Sequence, residues 1–171
     1  MEIRTFDLNN DFDAISTWIR DERTHMLWCA DRIKFPMEKD AFEAFLQDIA
    51  SRNGDAPYVA ADDDGRPVGF YTYSVNGNTH EGMLKFVVVD PEKRGKGIAV
   101  EMLNRAVSAA FDDETTEAVH LNVFSSNPRA IRCYEKTGFV LRDVTSGAFT
   151  YKDEKWDRYN MIIRRYIDRE A

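Results

Sequence analysis

The chain has 171 residues, of which 43% are hydrophobic and 12% aromatic, and this suits one ordered domain over residues 1–171 with a buried core. Its formal net charge of −7 argues against a nucleic-acid-binding surface, which needs a basic face. No apolar run approaches the roughly 18–20 residues that cross a bilayer, and the first ten residues do not resemble a signal peptide. Cys29 and Cys133 are far apart and match no metal-ligand pattern, so we expect a cytoplasmic protein.

The first third of the chain predicts one strand and two helices. Residues 2–6 alternate apolar and polar side chains, as an edge strand does. A helix follows with Asp11 as its predicted N-cap. Its apolar residues share one face: Phe12, Ile15, Trp18 and Ile19. A second helix is predicted over residues 37–49, and the segment between the two helices, with Trp28 and Cys29, has no clear pattern.

The middle of the chain changes to the period of two that is typical of strands. Residues 58–61 and 68–75 flank Asp64-Gly65, a pair that tolerates positive φ, and they predict a hairpin. Residues 83–89 form a nearly continuous apolar run, which is typical of a central strand covered on both faces.

The remaining chain alternates helices and strands. Helices are predicted over residues 97–111 and 127–136, with a strand over 119–124 between them. Two more strands are predicted, one from residue 139 onward and one over 159–164. This order of elements predicts an α/β fold, or an α+β mixed sheet, with helices on both faces.

The most informative stretch lies between the apolar strand and the helix that follows it. It reads Val87-Val88-Val89-Asp90-Pro91-Glu92-Lys93-Arg94-Gly95-Lys96-Gly97-Ile98-Ala99. The first turn of a helix has unpaired N–H groups and the positive end of the helix dipole, and glycines let a ligand approach the main chain. Charged contacts from Arg94 and Lys96 would add to such a site, so the stretch predicts a pyrophosphate-binding loop. From the glycines alone, a tight strand-to-helix turn is the alternative.

Two other nucleotide-binding motifs do not fit this spacing. A P-loop needs Ser or Thr where Gly97 follows Gly95-Lys96. A dinucleotide fingerprint needs glycine at position 100, which is Val100. The stretch therefore predicts a pyrophosphate site of another kind.

This stretch resembles the pyrophosphate-binding signature of the GNAT superfamily of N-acetyltransferases, Arg/Gln-x-x-Gly-x-Gly/Ala, which Arg94, Gly97 and Ala99 match. A second signature spans residues 122–139 and is similar to the strand-helix-strand that completes the cofactor site in that family. The order of elements, and the tail with Trp156, resemble the branch that acetylates ribosomal-protein N-termini and related small-substrate enzymes.

The resemblance implies a mostly antiparallel GNAT sheet with splayed strands, and acetyl-CoA as acyl donor without a metal. Backbone groups at Val87, Val88 and Val89 would pair with the pantetheine arm, and one N–H would hold the oxyanion. The residues implied to bind the pyrophosphate are Arg94, Gly95, Lys96, Gly97, Ile98, Ala99 and Val100. Asn127 would contact the cofactor arm, although its position before Pro128 also predicts a helix N-cap.

Tyr134 matches the general acid of the family, which protonates the departing thiolate. It follows Asn127 by seven residues, or two helical turns, so the two side chains share a face. A phenol with a pKa near 10 can donate to a thiolate whose conjugate acid has a pKa of about 8.5. From the residue alone, a core aromatic with a hydrogen-bonded hydroxyl is the alternative.

The general base is not assigned by the resemblance. Related N-terminal acetyltransferases carry Glu where this chain has Asn122, and an amide cannot take up the proton of the amine. The alternatives are His120, His80, Glu81 or water.

Residues for the acceptor are expected before the first signature. The candidates are Trp28, Asp31, Phe35, Tyr71 and Tyr73. Each of the aromatics has a core role as its alternative.

The sequence thus predicts transfer of an acetyl group from acetyl-CoA to a primary amine, of a peptide N-terminus or a small molecule, by direct attack in a ternary complex. The expected partners are acetyl-CoA and the amine, without nucleic acid or membrane, and the protein is expected to be a monomer or homodimer. Two alternatives remain: a CoA-binding sensor, which the missing Glu at position 122 favours, and a structural interaction module.

Overall fold

The computed structural model describes residues 1–166, which form a sheet covered by helices. The strands are β1 (Glu2–Thr5), β2 (Ala56–Ala61), β3 (Pro67–Asn76), β4 (Glu81–Val89), β5 (Ala118–Phe124), β6 (Val140–Tyr151) and β7 (Glu154–Arg164). The helices are α1 (Leu8–Trp18), α2 (Glu22–Cys29), α3 (Lys39–Asn53), α4 (Ile98–Asp112) and α5 (Pro128–Thr137). None of these helices within residues 1–166 is long and apolar enough to span a membrane.

The sheet is mixed and mostly antiparallel, with the strand order β1-β2-β3-β4-β5-β7-β6. The apolar strand β4 lies at its centre, as its composition predicts, and β4 with β5 is the parallel pair among the described strands. Their ladder runs from Glu81, opposite Ala118, to Leu84, opposite Leu121. Both strands continue beyond these residues without pairing with each other, although β4 stays paired with β3 and β5 with β7. The sheet therefore splits at its centre, and the implied splayed strands are confirmed.

A β-bulge in β4 changes which side chains face each layer of helices. Thr72 lies opposite Lys85 and Phe70 opposite Val88, so two residues of β4, Phe86 and Val87, face one residue of β3. Phe86 has a positive φ of 53°. The extra residue places Phe86 on the face opposite to Leu84, although the two are separated by one residue.

Helices cover both faces of the sheet, as predicted. On one face α4 and α5 pack over β3, β4 and β5 through a core that includes Leu84, Met102, Leu103 and Phe139. On the other face α1, α2 and α3 form a second core. Its members include Phe12, Ile15, Phe42, Phe70 and Phe86. Removal of these apolar side chains from water holds the two layers against the sheet.

The start of α1 differs from the prediction. Its N-cap is Asp7, whose carboxylate accepts hydrogen bonds from the backbone N–H groups of Asn9 and Asn10 at 2.9 and 3.2 Å. The predicted cap, Asp11, lies inside the helix and is buried. Its carboxylate accepts two hydrogen bonds from the Arg4 guanidinium at 2.8 and 2.7 Å. The prediction of Asp11 as cap is wrong because a residue four positions earlier satisfies the first N–H groups of the helix.

The unassigned segment between the first two predicted helices forms α2. Asp21 caps it through a hydrogen bond from the backbone N–H of Thr24 at 2.8 Å. Helix α3 continues beyond the predicted end at residue 49 and stops at Gly54, which has the left-handed φ of 70° that favours glycine.

Candidate active site

The split between β4 and β5 opens into a cleft of about 460 Å³. One part, the α4–α5 arm, lies beside the N-termini of these helices and includes Arg94, Gly97, Asn127, Arg129, Tyr134 and Lys136. The other part, the α2 arm, includes Thr24, Leu27, Trp28, Lys85, Phe86 and Asn122. The two arms meet where the strands separate, so two molecules that enter from the two sides would meet at this point.

The loop before α4 has a backbone conformation that requires glycine. After a 3₁₀ turn, Gly95 and Gly97 have φ of 76° and 79°, and Gly97 is the N-cap of α4. A Cβ at either position would meet no atom within 4 Å. Glycine is therefore needed here because of the left-handed φ and not because of a lack of space. No side chain caps this end of α4 within residues 1–166. Its first N–H groups and the helix dipole are therefore available to an anion.

The cleft brings together nearly all of the residues predicted to form the site. Those that line it are Val87, Val88, Val89, Arg94, Gly95, Gly97, Ile98, Ala99, Val100, Asn127 and Tyr134. Lys96 is exposed and does not line the cleft, because it lies in the exposed part of the turn between the two glycines. The roles assigned to these residues stay predictions.

Helix α5 presents its predicted residues along one face. Asn127 is its N-cap and accepts a hydrogen bond from the backbone N–H of Ala130 at 3.3 Å, so the predicted cap is confirmed. The ring of Tyr134 is buried and packs edge-on against Phe139, with the centroids 6.2 Å apart. Burial raises the pKa of the Tyr134 phenol well above its ordinary value. The phenol therefore stays protonated near neutral pH, as a general acid must.

Further cations on α5 were not predicted from the sequence. Arg129, Arg132 and Lys136 line the α4–α5 arm together with Arg94. Partial desolvation and the nearby Arg129 guanidinium lower the pKa of Arg94, which indicates that an anion between the two would be stabilised. Their spacing of three and four residues puts them in one stripe of α5 on the side away from Asn127 and Tyr134, so helical periodicity alone does not predict that they line the cleft.

The α2 arm is formed by contacts between distant parts of the chain. The indole N–H of Trp28 donates to the Phe86 carbonyl at 2.8 Å, and the two rings pack edge-on. Lys85 Nζ donates to both carboxylate oxygens of the buried Asp55 at 2.9 and 2.8 Å, and to the Ser74 hydroxyl at 3.3 Å. No local spacing in the sequence predicts the pair of Lys85 and Asp55.

Of the five residues expected to bind the acceptor, Trp28 lines the cleft and the other four do not. Tyr71 is buried and stacks on Tyr58, and Tyr73 packs against the same core. Phe35 packs against His25, and Asp31 is exposed outside the cleft. For both tyrosines the alternative of a core role holds, because the alternation of β3 turns them into the α4 core.

The side chains weighed as general base also lie outside the cleft. His80 is exposed in the turn before β4. Glu81 accepts a hydrogen bond from Arg142 at 2.7 Å. Its backbone pairs with Ala118, which precedes Asn122 by four residues, or roughly 13 Å along β5. His120 Nδ1 lies 3.1 Å from the amide nitrogen of Asn160. The geometry supports direct contact with a bound amine for none of the three.

A metal site was not predicted for this chain. Within residues 1–166, no group of three His, Cys, Asp or Glu side chains is placed to hold a metal ion.

Comparisons with known proteins show the family of the chain. The model of the acetyltransferase (GNAT) family matches residues 13–139. The spermidine N(1)-acetyltransferase of Vibrio cholerae is 25% identical over 161 residues, which cover 94% of this chain and 83% of that protein. The aminoglycoside N(6')-acetyltransferase type 1 of Klebsiella pneumoniae is 26% identical over 142 residues, which cover 76% of this chain and 69% of that protein.

Solved structures show the same fold. The crystal structure of spermidine N-acetyltransferase from Vibrio cholerae in complex with CoA and spermine has a TM-score of 0.78 at 22% identity. The superposition covers 95% of this chain and 94% of the chain from Vibrio cholerae. By name, these relatives act on polyamines and aminoglycosides, and they do not support the finer resemblance to the ribosomal-protein branch. The chain belongs to the acetyltransferase (GNAT) family and is an acetyl-CoA-dependent N-acetyltransferase of amines.

Proposed function

We propose that the protein transfers the acetyl group of acetyl-CoA to a primary amine, of a small molecule or a peptide N-terminus, by direct attack in a ternary complex. The observation that carries this proposal is one continuous cleft whose two arms meet at the split between β4 and β5. Relatives named for spermidine and for aminoglycosides favour a small-molecule amine over a peptide N-terminus.

In this proposal the α4–α5 arm binds the coenzyme. The pyrophosphate lies at the N-terminus of α4, where Gly95 and Gly97 leave the backbone open. The cations Arg94 and Arg129 add charge-assisted hydrogen bonds. The pantetheine arm enters the split and pairs with backbone groups of residues 87–89, which have no partner in β5.

The amine enters from the α2 arm and attacks the thioester carbonyl where the arms meet. A backbone N–H of β4 stabilises the developing oxyanion. When the tetrahedral intermediate collapses, the C–S bond breaks and the phenol of Tyr134 donates its proton to the sulfur. The ammonium proton leaves to water, since Asn122 is an amide and cannot accept it. Uptake of a proton by the phenolate from water completes the cycle.

Replacement of Tyr134 by Phe tests this proposal. We expect the variant to lower kcat by about 10²–10⁴-fold, because that is the usual contribution of a general acid. Acetyl-CoA affinity by calorimetry should stay nearly unchanged, since the hydroxyl acts only on the departing sulfur. Turnover is followed by thiol release with a panel of primary amines.

Tyr71→Phe is the matched control, because Tyr71 is a buried tyrosine outside the cleft. Its kcat should equal that of the wild type. Equal losses of kcat and acetyl-CoA affinity in Tyr134→Phe would remove Tyr134 from the acid role. An absence of any heat of binding for acetyl-CoA in the wild type would contradict the whole proposal.

A further inference from the structure

A chain of hydrogen bonds across three strands fixes the orientation of the Asn160 amide. Arg142 Nε donates to Asn160 Oδ1 at 2.6 Å, and a guanidinium can only donate. On the other side, Asn160 Nδ2 donates to the Leu121 carbonyl at 3.3 Å, and a carbonyl can only accept. Because both partners have one possible role, the oxygen of Asn160 must face Arg142 and its nitrogen must face β5.

The orientation of Asn160 sets that of Asn122. Asn160 Nδ2 lies 2.9 Å from Asn122 Oδ1, so this oxygen is occupied as an acceptor. Asn122 is exposed and lines the cleft. Its amide N–H groups have no partner among residues 1–166 and are left for a molecule in the cleft. Asn122 therefore offers the cleft a hydrogen-bond donor.

This donor lies on the α2 side of the sheet. The neighbouring residues Leu121 and Val123 pack in the core with α4, so the alternation of β5 turns Asn122 to the opposite face. Lys85 lies on the same face, but its ammonium already donates to Asp55 and Ser74, which leaves the Asn122 amide as the donor with no protein partner. The acceptor would therefore meet the Asn122 amide.

No carboxylate among residues 1–166 lines the cleft, so the ammonium groups of an acceptor find no counter-ion in its wall. Its ionised side chains within residues 1–166 are all cations: Lys85, Arg94, Arg129, Arg132 and Lys136. The nearby carboxylate of Asp55 is buried and bound to Lys85. A polyalkylamine has no oxygen, whereas the hydroxyl and ring oxygens of an amino sugar can accept a hydrogen bond from Asn122.

We propose that Asn122 determines specificity by donating a hydrogen bond to an oxygen of the acceptor, and that Asn160 and Arg142 are positioning residues that keep it a donor. The acceptor class is an amine that carries hydroxyl or ether oxygens, such as an amino sugar, in preference to a polyalkylamine. This inference rests on the proposed function, because it requires the amine to occupy the α2 arm.

Replacement of Asn122 by Asp tests the inference with kanamycin and spermidine as probes. The substitution keeps the oxygen that accepts from Asn160 and replaces the donor by a carboxylate oxygen. The wild type should have the higher kcat/KM for kanamycin. In Asn122→Asp, kcat/KM should fall about threefold to tenfold for kanamycin and rise by a similar factor for spermidine, as expected for one hydrogen bond at a partly exposed site. Calorimetric affinity for acetyl-CoA should not change.

Two further variants separate this effect from charge and from folding. Asn78→Asp adds the same charge in an exposed turn and should leave the kanamycin-to-spermidine ratio unchanged. Asn160→Ala frees the Asn122 amide to rotate, and the ratio should fall at least twofold with unchanged acetyl-CoA affinity. An unchanged ratio in Asn160→Ala would overturn the positioning role.

Two results would overturn the specificity assignment itself. One is a wild type that acetylates spermidine better than kanamycin, and the other is an unchanged ratio in Asn122→Asp. Neither result affects the proposed acetyl transfer. Acetyl-CoA binding without acetylation of any amine would instead contradict the proposed function.

Discussion

The two arms of the cleft are built in different ways. The α4–α5 arm comes from two short stretches of the chain, residues 87–100 and 127–136, and in each the turn leads directly into the first turn of a helix. The α2 arm depends on side chains that meet across the sheet, such as Lys85 with Asp55, and Asn122 with Asn160. The coenzyme half of the site thus rests on local backbone geometry, and the acceptor half on long-range contacts.

This difference indicates that the two arms can be changed separately. Backbone N–H groups and a stripe of cations recognise any pyrophosphate, whatever the acceptor. Paired polar side chains set where donors and acceptors point, and a single substitution there can reverse the pattern. Changes in the α4–α5 arm should therefore alter coenzyme affinity, and changes in the α2 arm should alter the KM of the amine and the stability of the fold.

Asp55→Asn is expected to have the largest effect on stability, because it leaves the Lys85 ammonium without its carboxylate. Asp55 is 2% exposed. Loss of one partner of a buried ion pair costs about 3–5 kcal/mol, and the slight exposure of Lys85 favours the lower end. Urea unfolding measures this loss. The KM of the amine should rise, while calorimetric affinity for acetyl-CoA in the folded protein should not change.

Asp48→Asn is the matched control for Asp55→Asn. Asp48 pairs with Arg52 at 2.8 Å on the exposed face of α3, where such a pair contributes about 0.5 kcal/mol or less. Equal losses of stability in the two variants would show that Lys85 does not depend on its partner. A loss of acetyl-CoA affinity in Asp55→Asn would show that the arms are coupled.

The α4–α5 arm could be predicted from the sequence because its signals are local. Glycines at fixed spacing, an apolar strand before them and an amphipathic helix after them all lie within residues 83–111. Asn127 and Tyr134 are two helical turns apart, so their common face follows from periodicity alone. The structure places these side chains in one cleft, with Lys96 as the exception.

The α2 arm could not be predicted because its contacts depend on strand register. The bulge at Phe86 and Val87 decides which side of β4 each residue faces, and a shift of one residue reverses that choice. The alternation of β3 turns Tyr71 into the core, whereas the sequence left open whether it binds the acceptor or packs in the core. The pair of Asn160 and Arg142 likewise requires β6 and β7 to be aligned, which no local motif reveals.

Gly97→Ala tests the opposite arm and should have a smaller effect. The φ of 79° at Gly97 is unfavourable for any residue with a Cβ, at a cost of about 1–2 kcal/mol. The strain falls on the N-terminus of α4, so acetyl-CoA affinity should fall with stability, while the KM of the amine stays unchanged. Calorimetry and urea unfolding measure the two effects.

Gly77→Ala provides the comparison for Gly97→Ala, because a Cβ at Gly77 also meets no atom within 4 Å but its φ lies outside the left-handed region. This variant should have the stability and acetyl-CoA affinity of the wild type. If Gly97→Ala behaves in the same way, the conformation of the loop does not determine coenzyme binding.

The smallest expected effect is a pH dependence of stability that arises next to the α2 arm. Burial lowers the pKa of His120 most, and the positive charges of Arg142 and Lys85 lower it further. The negative charge of Glu81 acts in the opposite direction. The unfolded chain therefore binds this proton more readily than the folded protein does. The stability that neutral His120 contributes is fully present above the unfolded pKa of about 6.5 and is lost as the pH falls through the folded pKa.

His120→Asn removes the titrating group, so the decrease in unfolding free energy between pH 7.5 and pH 5 should be smaller than in the wild type. Urea unfolding at the two pH values measures it, and His80→Gln, at an exposed histidine, should keep the wild-type decrease. An identical decrease in all three proteins would show that His120 is not desolvated. Protonation of His120 would place a positive charge beside the Asn160 amide nitrogen, which lies 3.1 Å from Nδ1 and donates to Asn122, whereas no hydrogen bond joins His120 to the α4–α5 arm within residues 1–166. Acid should therefore weaken the acceptor half of the site before the coenzyme half.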